Sequence, residues 1–346
     1  MSPVTAALDR RRPRFELAGW LPLLGLPLTV LATLHAAQPW VFMWALSASI
    51  FAGFKWLTWW RAIHESPSPL RGRFTIPLPL RGSHCCQGRG ISRVGRAGRG
   101  WRSLAYLLLW PGMDAATFIN PAARPATPAM REWVAAALKT VAGAALFWGV
   151  ARLAAPASLL AAGWIGLFGL IFLLHFGSFH LISLAWRTVG IQARPIMDSP
   201  IRAASLSELW GRRWNLAFHV LARDLVVGVA RRRFGSGGAT LLAFVASGLL
   251  HDLVISVPAR GGYGLPTAYF LLQGIGLLFE RLPLGTRLSL RGGPRGRIYA
   301  LVVAAAPAFW LFHPPFVLRV IVPFMRALGA LALSLPLAGR AGVGVC

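Results

Sequence analysis

Apolar positions gather into long unbroken runs, with polar residues concentrated between them. A helix crossing a hydrocarbon core of about 30 Å needs roughly 20 apolar residues. Eight stretches follow that pattern: 17–34, 40–59, 133–155, 158–178, 239–257, 266–282, 298–312 and 316–336. Two further apolar stretches break it. Residues 104–120 are interrupted by Pro111, Gly112 and Asp114, and residues 214–230 contain Asn215, His219, Arg223 and Asp224 between Arg212–Arg213 and Arg231–Arg233. A segment whose two flanks lie on one side cannot cross once, so 214–230 is predicted to be a re-entrant or in-plane helix packed against protein. Arg223 and Asp224, adjacent on that helix, are expected to face different ways, each needing its own partner or the membrane interface. The pattern predicts an all-α polytopic integral membrane protein with about eight transmembrane helices plus re-entrant or in-plane helices.

The distribution of arginine orients these spans, because basic residues favour cytoplasmic loops. Arg10, Arg11, Arg12 and Arg14 precede the first span, and segment 60–103 holds nine arginines against one acid, Glu65. Segments 187–238 and 281–297 are also rich in arginine, whereas the links at 35–39 and 313–315 carry no Lys or Arg. Basic and non-basic links alternate as eight spans with both termini in the cytoplasm require. The first run has no small-residue cleavage site and contains Pro22 and Pro27, so it is read as a retained span rather than a signal peptide.

Composition then excludes the obvious reading of the charge. The 346 residues carry a formal net charge of +26, yet only 13% are charged and 56% are hydrophobic. A soluble domain averages about 25% charged residues, so a soluble nucleic-acid binder is excluded and no nucleic-acid partner is expected. The three cysteines, Cys85, Cys86 and Cys346, form no disulfide framework, and the adjacent pair beside His84 lacks metal-ligand spacing, so no metal site is expected.

Polar groups at membrane depth are costly and mark function by default. His251 lies roughly 18 Å into its span at 1.5 Å per residue, after the small residues Ala246, Ser247 and Gly248. Two readings stand: a functional imidazole facing a cavity, or a structural histidine with Ser247 and Gly248 as packing residues. His175 and His180, five residues apart, fall on different faces and do not suit a joint metal site. His219 shares a helical face with Asn215. Lys55, among Trp56, Trp59 and Trp60, reads as a snorkelling cation in an aromatic belt. Glu208, four residues before Arg212, is expected to pair with it. His313 reads as part of an outer loop.

The stretch Ser205-Leu206-Ser207-Glu208-Leu209-Trp210-Gly211-Arg212-Arg213-Trp214-Asn215 resembles the membrane-bound O-acyltransferase superfamily, and within it the wax synthase branch. Leu209 stands where Phe is usual. Ser247-Gly248-Leu249-Leu250-His251-Asp252 resembles the Ser-Gly-x-x-His element of that branch, with Asp252 where Glu is common. Elements at 108–114 and 261–267 resemble bacterial members, and the resemblance covers roughly 100–285. It divides the chain into an N-terminal two-span region with a basic cytoplasmic loop (1–103), an acyltransferase core (104–285) and a C-terminal two-span region (286–346).

The resemblance implies transfer of an acyl group from acyl-CoA to an alcohol hydroxyl, of the wax-ester type, in the inner membrane of a bacterium. It implies His251 as general base and Asn215 as second catalytic residue. Acyl-CoA is the co-substrate with no further cofactor, the acceptor is a lipophilic alcohol, and membrane lipids surround the protein. Trp210, Arg212, Arg213, Trp214, Ser247 and Gly248 are expected to contact substrate. Arginine suits bidentate phosphate binding, with cytoplasmic topology charge as the plainer account of Arg212 and Arg213. Trp210 and Trp214 have helix packing as their plainer role, and Gly248 would leave room for an acyl chain. Two other functions stand beside this one: a transporter or channel with a buried His/Asn path, and an O-acetyltransferase of a sugar or secondary metabolite.

Overall fold

A computed structural model of the chain describes residues 12–64, 96–122 and 125–332. Every regular element among the described residues is helical. Cys85, Cys86, Cys346 and most of the basic segment 60–103 lie outside them, as does the end of the last predicted span.

Helices α1 (Arg12–Leu34) and α2 (Pro39–His64) form the first two predicted spans. Trp56 Nε1 of α2 ties them by donating to Ala18 O at 3.0 Å. Helix α3 (Arg96–Leu109) stops before Pro111 and Gly112. Helix α4 (Ala115–Ile119) restarts with Asp114 as its N-cap, accepting from Thr117 N at 3.1 Å and Thr117 Oγ1 at 2.6 Å. The predicted interruption of 104–120 is therefore a capped break, as a proline and an N-cap aspartate dictate. Helices α5 (Met130–Ala154) and α6 (Leu159–Thr188) are the third and fourth spans. The motif-bearing stretch opens with α7 (Leu206–Glu208), which runs into a π-turn over Leu209–Arg213. It is followed by α8 (Leu216–Ala259), α9 (Leu265–Arg281), α10 (Pro283–Arg287), α11 (Gly293–Leu311) and α12 (Pro314–Ala327).

Helix α8 holds both the predicted in-plane segment and the fifth span. They are two limbs of one helical run that breaks at Gly235, whose φ of 66° and ψ of −175° suit a residue without Cβ. One limb starts beside Asn215 and the other carries His251, so the break at Gly235 lets the two residues be folded toward one another.

Five described helices (α1, α2, α5, α6 and α8) are long and apolar enough to cross a membrane. The count is six if α11 and α12, bent by 60° at the break between them, form one span. The predicted separate spans 298–312 and 316–336 are thus a bent pair. Helix α9 has 17 residues, about 25 Å at 1.5 Å per residue, which falls short of a full hydrocarbon core. The main core packs Phe147, Leu167, Val320, Ile321 and Met325 of α5, α6 and α12, with Trp40 and Trp44 of α2 against it.

Four polar residues depart from expectation. Lys55 does not snorkel: it is 2% exposed, donates from Nζ to Gly112 O at 2.8 Å and lies 3.1 Å from the centre of the Tyr106 ring. The α3–α4 break supplies the carbonyl that meets this ammonium, a partner 57 residues away in sequence. Arg223 and Asp224 meet each other, with Arg223 Nε 2.9 Å from Asp224 Oδ1. His313 lies in the link between α11 and α12 but is fully buried, and its Nδ1 accepts from Phe316 N at 3.2 Å as the N-cap of α12.

Candidate functional site

The π-turn at Leu209–Arg213 sets the geometry of the motif-bearing stretch. A π-turn carries more residues per turn than an α-helix, so side chains five apart meet. Glu208 consequently pairs with Arg213, not Arg212: Oε1 lies 2.8 Å from Arg213 Nε and 2.6 Å from Nη2. Glu208 Oε2 also accepts from Ala204 N at 2.8 Å. Burial pushes the Glu208 carboxyl up, but the Ala204 N–H and the Arg213 guanidinium outweigh it and hold the group below the usual carboxylate range. Arg213 further donates to Asp198 O at 3.2 Å. Arg212 is exposed.

Past the turn, Asn215 takes a left-handed conformation (φ 41°, ψ 60°) and caps the first limb of α8. Its Oδ1 accepts from Phe218 N at 3.4 Å. Only the amide oxygen can accept, so the cap fixes the orientation of the side chain. The two N–H donors of Nδ2 make no hydrogen bond among the described residues and are left for the cavity.

His251 is oriented by the same logic. Its Nδ1 lies 2.7 Å from Ser247 O. A carbonyl only accepts, so Nδ1 carries the proton in the neutral ring and Nε2 keeps its lone pair. The Phe270 ring lies 4.4 Å from the imidazole, centre to centre, and restrains it from the α9 side.

Asn215 and His251 line one cavity of about 460 Å³, bordered by the motif turn, both limbs of α8, α9 and Phe54 of α2. Trp210, Trp214 and Ser247 also line it. Trp210 is locked by a chain of contacts: its Nε1 donates to Gln273 Oε1 at 3.3 Å, and Gln273 Nε2 donates to Val303 O at 2.8 Å. Phe54, Phe218, Leu250, Phe270 and Leu277 make the wall largely apolar.

Three residues expected to contact substrate stand outside this lining. Arg212 and Arg213 do not line this cavity, and Gly248 is buried away from it. A Cβ on Gly248 would come within 2.6 Å of Thr267 Cα, so this glycine permits close packing of α8 on α9. Gly248→Ala is expected to destabilise the protein by about 1–3 kcal/mol by overpacking, read as a lower thermal midpoint in detergent.

The sequence reading missed a whole helix face. Thr267, Phe270, Gln273, Leu277, Glu280 and Arg281 recur at helical spacing on α9. Glu280 is 1% exposed and accepts from Leu206 N at 2.6 Å and Ser207 N at 3.2 Å, which anchors α7 to α9. Arg281 lines the cavity and its Nη2 reaches Ser207 Oγ at 3.4 Å. The signal was present, since Gln273 and Glu280 interrupt an apolar run just as His251 does. The basic segment 281–297, which suggested only topology, also contained Arg281.

Comparison with known proteins finds similarity over the stretch that carries this site. The model of the membrane bound O-acyl transferase family matches residues 193–272, which take in Asn215 and His251. The long-chain-alcohol O-fatty-acyltransferase of Simmondsia chinensis is 29% identical over 147 residues, 39% of this chain and 41% of that protein. An Arabidopsis thaliana protein named "Probable long-chain-alcohol O-fatty-acyltransferase 2" is 31% identical over 140 residues, 36% of this chain and 40% of its own length. The Acyl-CoA--sterol O-acyltransferase 1 of Arabidopsis thaliana is 27% identical over 139 residues, 36% of this chain and 39% of that protein. The matches span about two fifths of the length of these relatives. Within this stretch the resemblance to the membrane-bound O-acyltransferase superfamily, in its wax synthase-like branch, holds.

Proposed function

We propose that the chain is an integral-membrane O-acyltransferase that moves an acyl group from acyl-CoA to the hydroxyl of a lipophilic alcohol. The observation that carries this reading is the convergence of the Asn215 amide and His251 on one apolar cavity. The alcohol donates its O–H to His251 Nε2, and its oxygen attacks the thioester carbonyl. The two electrons of the C=O π-bond move to oxygen, and the Asn215 N–H groups donate to that oxyanion. A positioned neutral donor of this kind is worth about 2.7–4 kcal/mol of barrier. Collapse of the tetrahedral intermediate releases the CoA thiolate, which takes the proton from the His251 imidazolium. The products are an ester and free CoA, with no covalent acyl-enzyme.

The apolar wall suits an aliphatic chain better than a sugar, and the names of the relatives cited above support an alcohol of the fatty or sterol class. The same reading puts both chain ends and the basic segments on the cytoplasmic side of a bacterial inner membrane. Purified protein with labelled acyl-CoA and a panel of fatty alcohols, sterols, diacylglycerol and hydroxylated small molecules tests it. Ester formation with a lipophilic acceptor is the expected result. Solute flux across vesicles without consumption of acyl-CoA would favour a transporter instead.

Arg281, rather than Arg212 or Arg213, is assigned to the phosphates of CoA, because it lines the cavity while Arg213 is neutralised by Glu208. A charge-assisted hydrogen bond is worth about 1.5–3 kcal/mol, so Arg281→Gln should raise KM for acyl-CoA by about tenfold or more. Acyl-pantetheine, which carries the thioester without phosphates, should be turned over equally by wild type and variant. A KM increase shared by both donors would remove Arg281 from phosphate binding.

A further inference from the structure

We propose that Asp252 is a positioning residue that fixes His251 through helix α9; the proposal rests on the acyltransferase reading above. Asp252 follows His251 in the chain but makes no hydrogen bond to it. It lines an open groove with Thr267 and Gly264, and it is not among the residues lining the reaction cavity. It therefore reaches substrate only through other residues.

Its carboxylate is fully engaged. Oδ1 accepts from Ser256 Oγ at 2.8 Å and from Gly264 N at 2.8 Å. Oδ2 accepts from Thr267 N at 3.1 Å and from Thr267 Oγ1. Gly264 is the N-cap of α9 and Thr267 lies in its first turn, so an anion from α8 satisfies amides that α9 itself leaves unpaired. Ser256 is in turn bonded to buried His313, whose Nε2 lies 3.2 Å from Ser256 Oγ. His313 Nδ1 already accepts from Phe316 N, so the neutral ring donates from Nε2 to the serine, and the serine donates to Asp252. The clamp thus ties together α8, α9 and α12.

The clamp sets the rotation and height of α9. Gly248, one turn before Asp252, lets the Thr267 backbone approach closely, and Asp252 then fixes Thr267 in place. Three residues on, Phe270 lies against the His251 ring at 4.4 Å and against Trp210 at 5.8 Å. One further turn on, Gln273 holds Trp210 Nε1. A shift of α9 would move the ring that restrains the base and the residue that locks Trp210 together. With Nδ1 held by Ser247 O, the Phe270 face is the second restraint on the imidazole.

The test compares Asp252→Asn, Thr267→Val and Thr267→Ser in the full-length protein in detergent. An amide in place of the carboxylate turns N–H donors toward two of the four donors it now accepts from, and Val removes the Thr267 hydroxyl bond while keeping its shape. A misplacement of about 1 Å can cost about 100-fold in rate. The expected result is a fall in kcat of about 10- to 100-fold for Asp252→Asn, smaller for Thr267→Val, with KM for acyl-CoA within about threefold of wild type. Thr267→Ser, which keeps the hydroxyl, should retain wild-type kcat. A purely structural role would lower the thermal midpoint and the active fraction without this split between kcat and KM and without the Ser–Val contrast.

A second readout does not depend on ester formation. Carbethoxylation of His251, followed by peptide mass mapping, should be several-fold faster in Asp252→Asn and Thr267→Val, because Phe270 no longer covers the ring. Wild-type kcat in Asp252→Asn, or equal losses in Thr267→Val and Thr267→Ser, overturns the proposal. If wild type forms no ester with any acceptor, the acyltransferase reading fails, and unchanged His251 labelling in the variants then overturns the clamp as well.

Discussion

His251→Ala is expected to lower the rate of ester formation by about 10²–10⁴, the range a positioned general base contributes. The alcohol proton must leave as its oxygen attacks, and Nε2 of His251 is the lone pair left available once Nδ1 is committed to Ser247 O. The same group returns the proton to the departing thiolate, so its loss affects both halves of the reaction. KM for acyl-CoA should stay within about threefold of wild type, since the interaction lost is made in the transition state. Initial rates with labelled acyl-CoA, at matched thermal midpoints, check this. An undiminished rate in His251→Ala would assign the base elsewhere.

The second large effect is expected at Asn215, where the substitution must separate two roles. Asn215→Asp keeps an acceptor for Phe218 N and tolerates the left-handed backbone, so the cap survives. It removes both N–H donors and puts an acceptor beside a developing oxyanion. Turnover should fall by about 10²–10³, with the thermal midpoint little changed. Asn215→Gly keeps the backbone conformation and loses the cap at a cost of a few tenths of a kcal/mol, and it should lose a similar amount of turnover. Full activity in Asn215→Asp would reduce the residue to a helix cap.

What could be read from the chain depended on whether the determining contact is local. Hydropathy located the five long apolar helices because it averages over a membrane thickness, and the interruption at Pro111 and Gly112 is written in two adjacent residues. The joining of 214–230 and 239–257 into one run turns on the backbone angles of Gly235, which hydropathy does not register. Lys55 looked like an interface residue because its partners, Tyr106 and Gly112, come from another helix and a loop. The pairing of Glu208 with Arg213 follows from a π-turn where α-helical spacing points to Arg212. Asn215 and His251 stood out because polar groups are rare in such runs and because their neighbours resemble family motifs. Arg281 and Asp252 could not be assigned that way, since their roles depend on how α9 lies against α8.

The central claim is that Asn215 and His251 act on one tetrahedral intermediate in one cavity, and a double-mutant cycle tests it most directly. Single-turnover ester formation would be measured for wild type, His251→Ala, Asn215→Asp and the double variant. Groups that serve the same step are strongly non-additive, so the double variant should be little slower than the slower single variant. Losses that multiply in the double variant, or a wild-type rate in either single variant, would contradict the account.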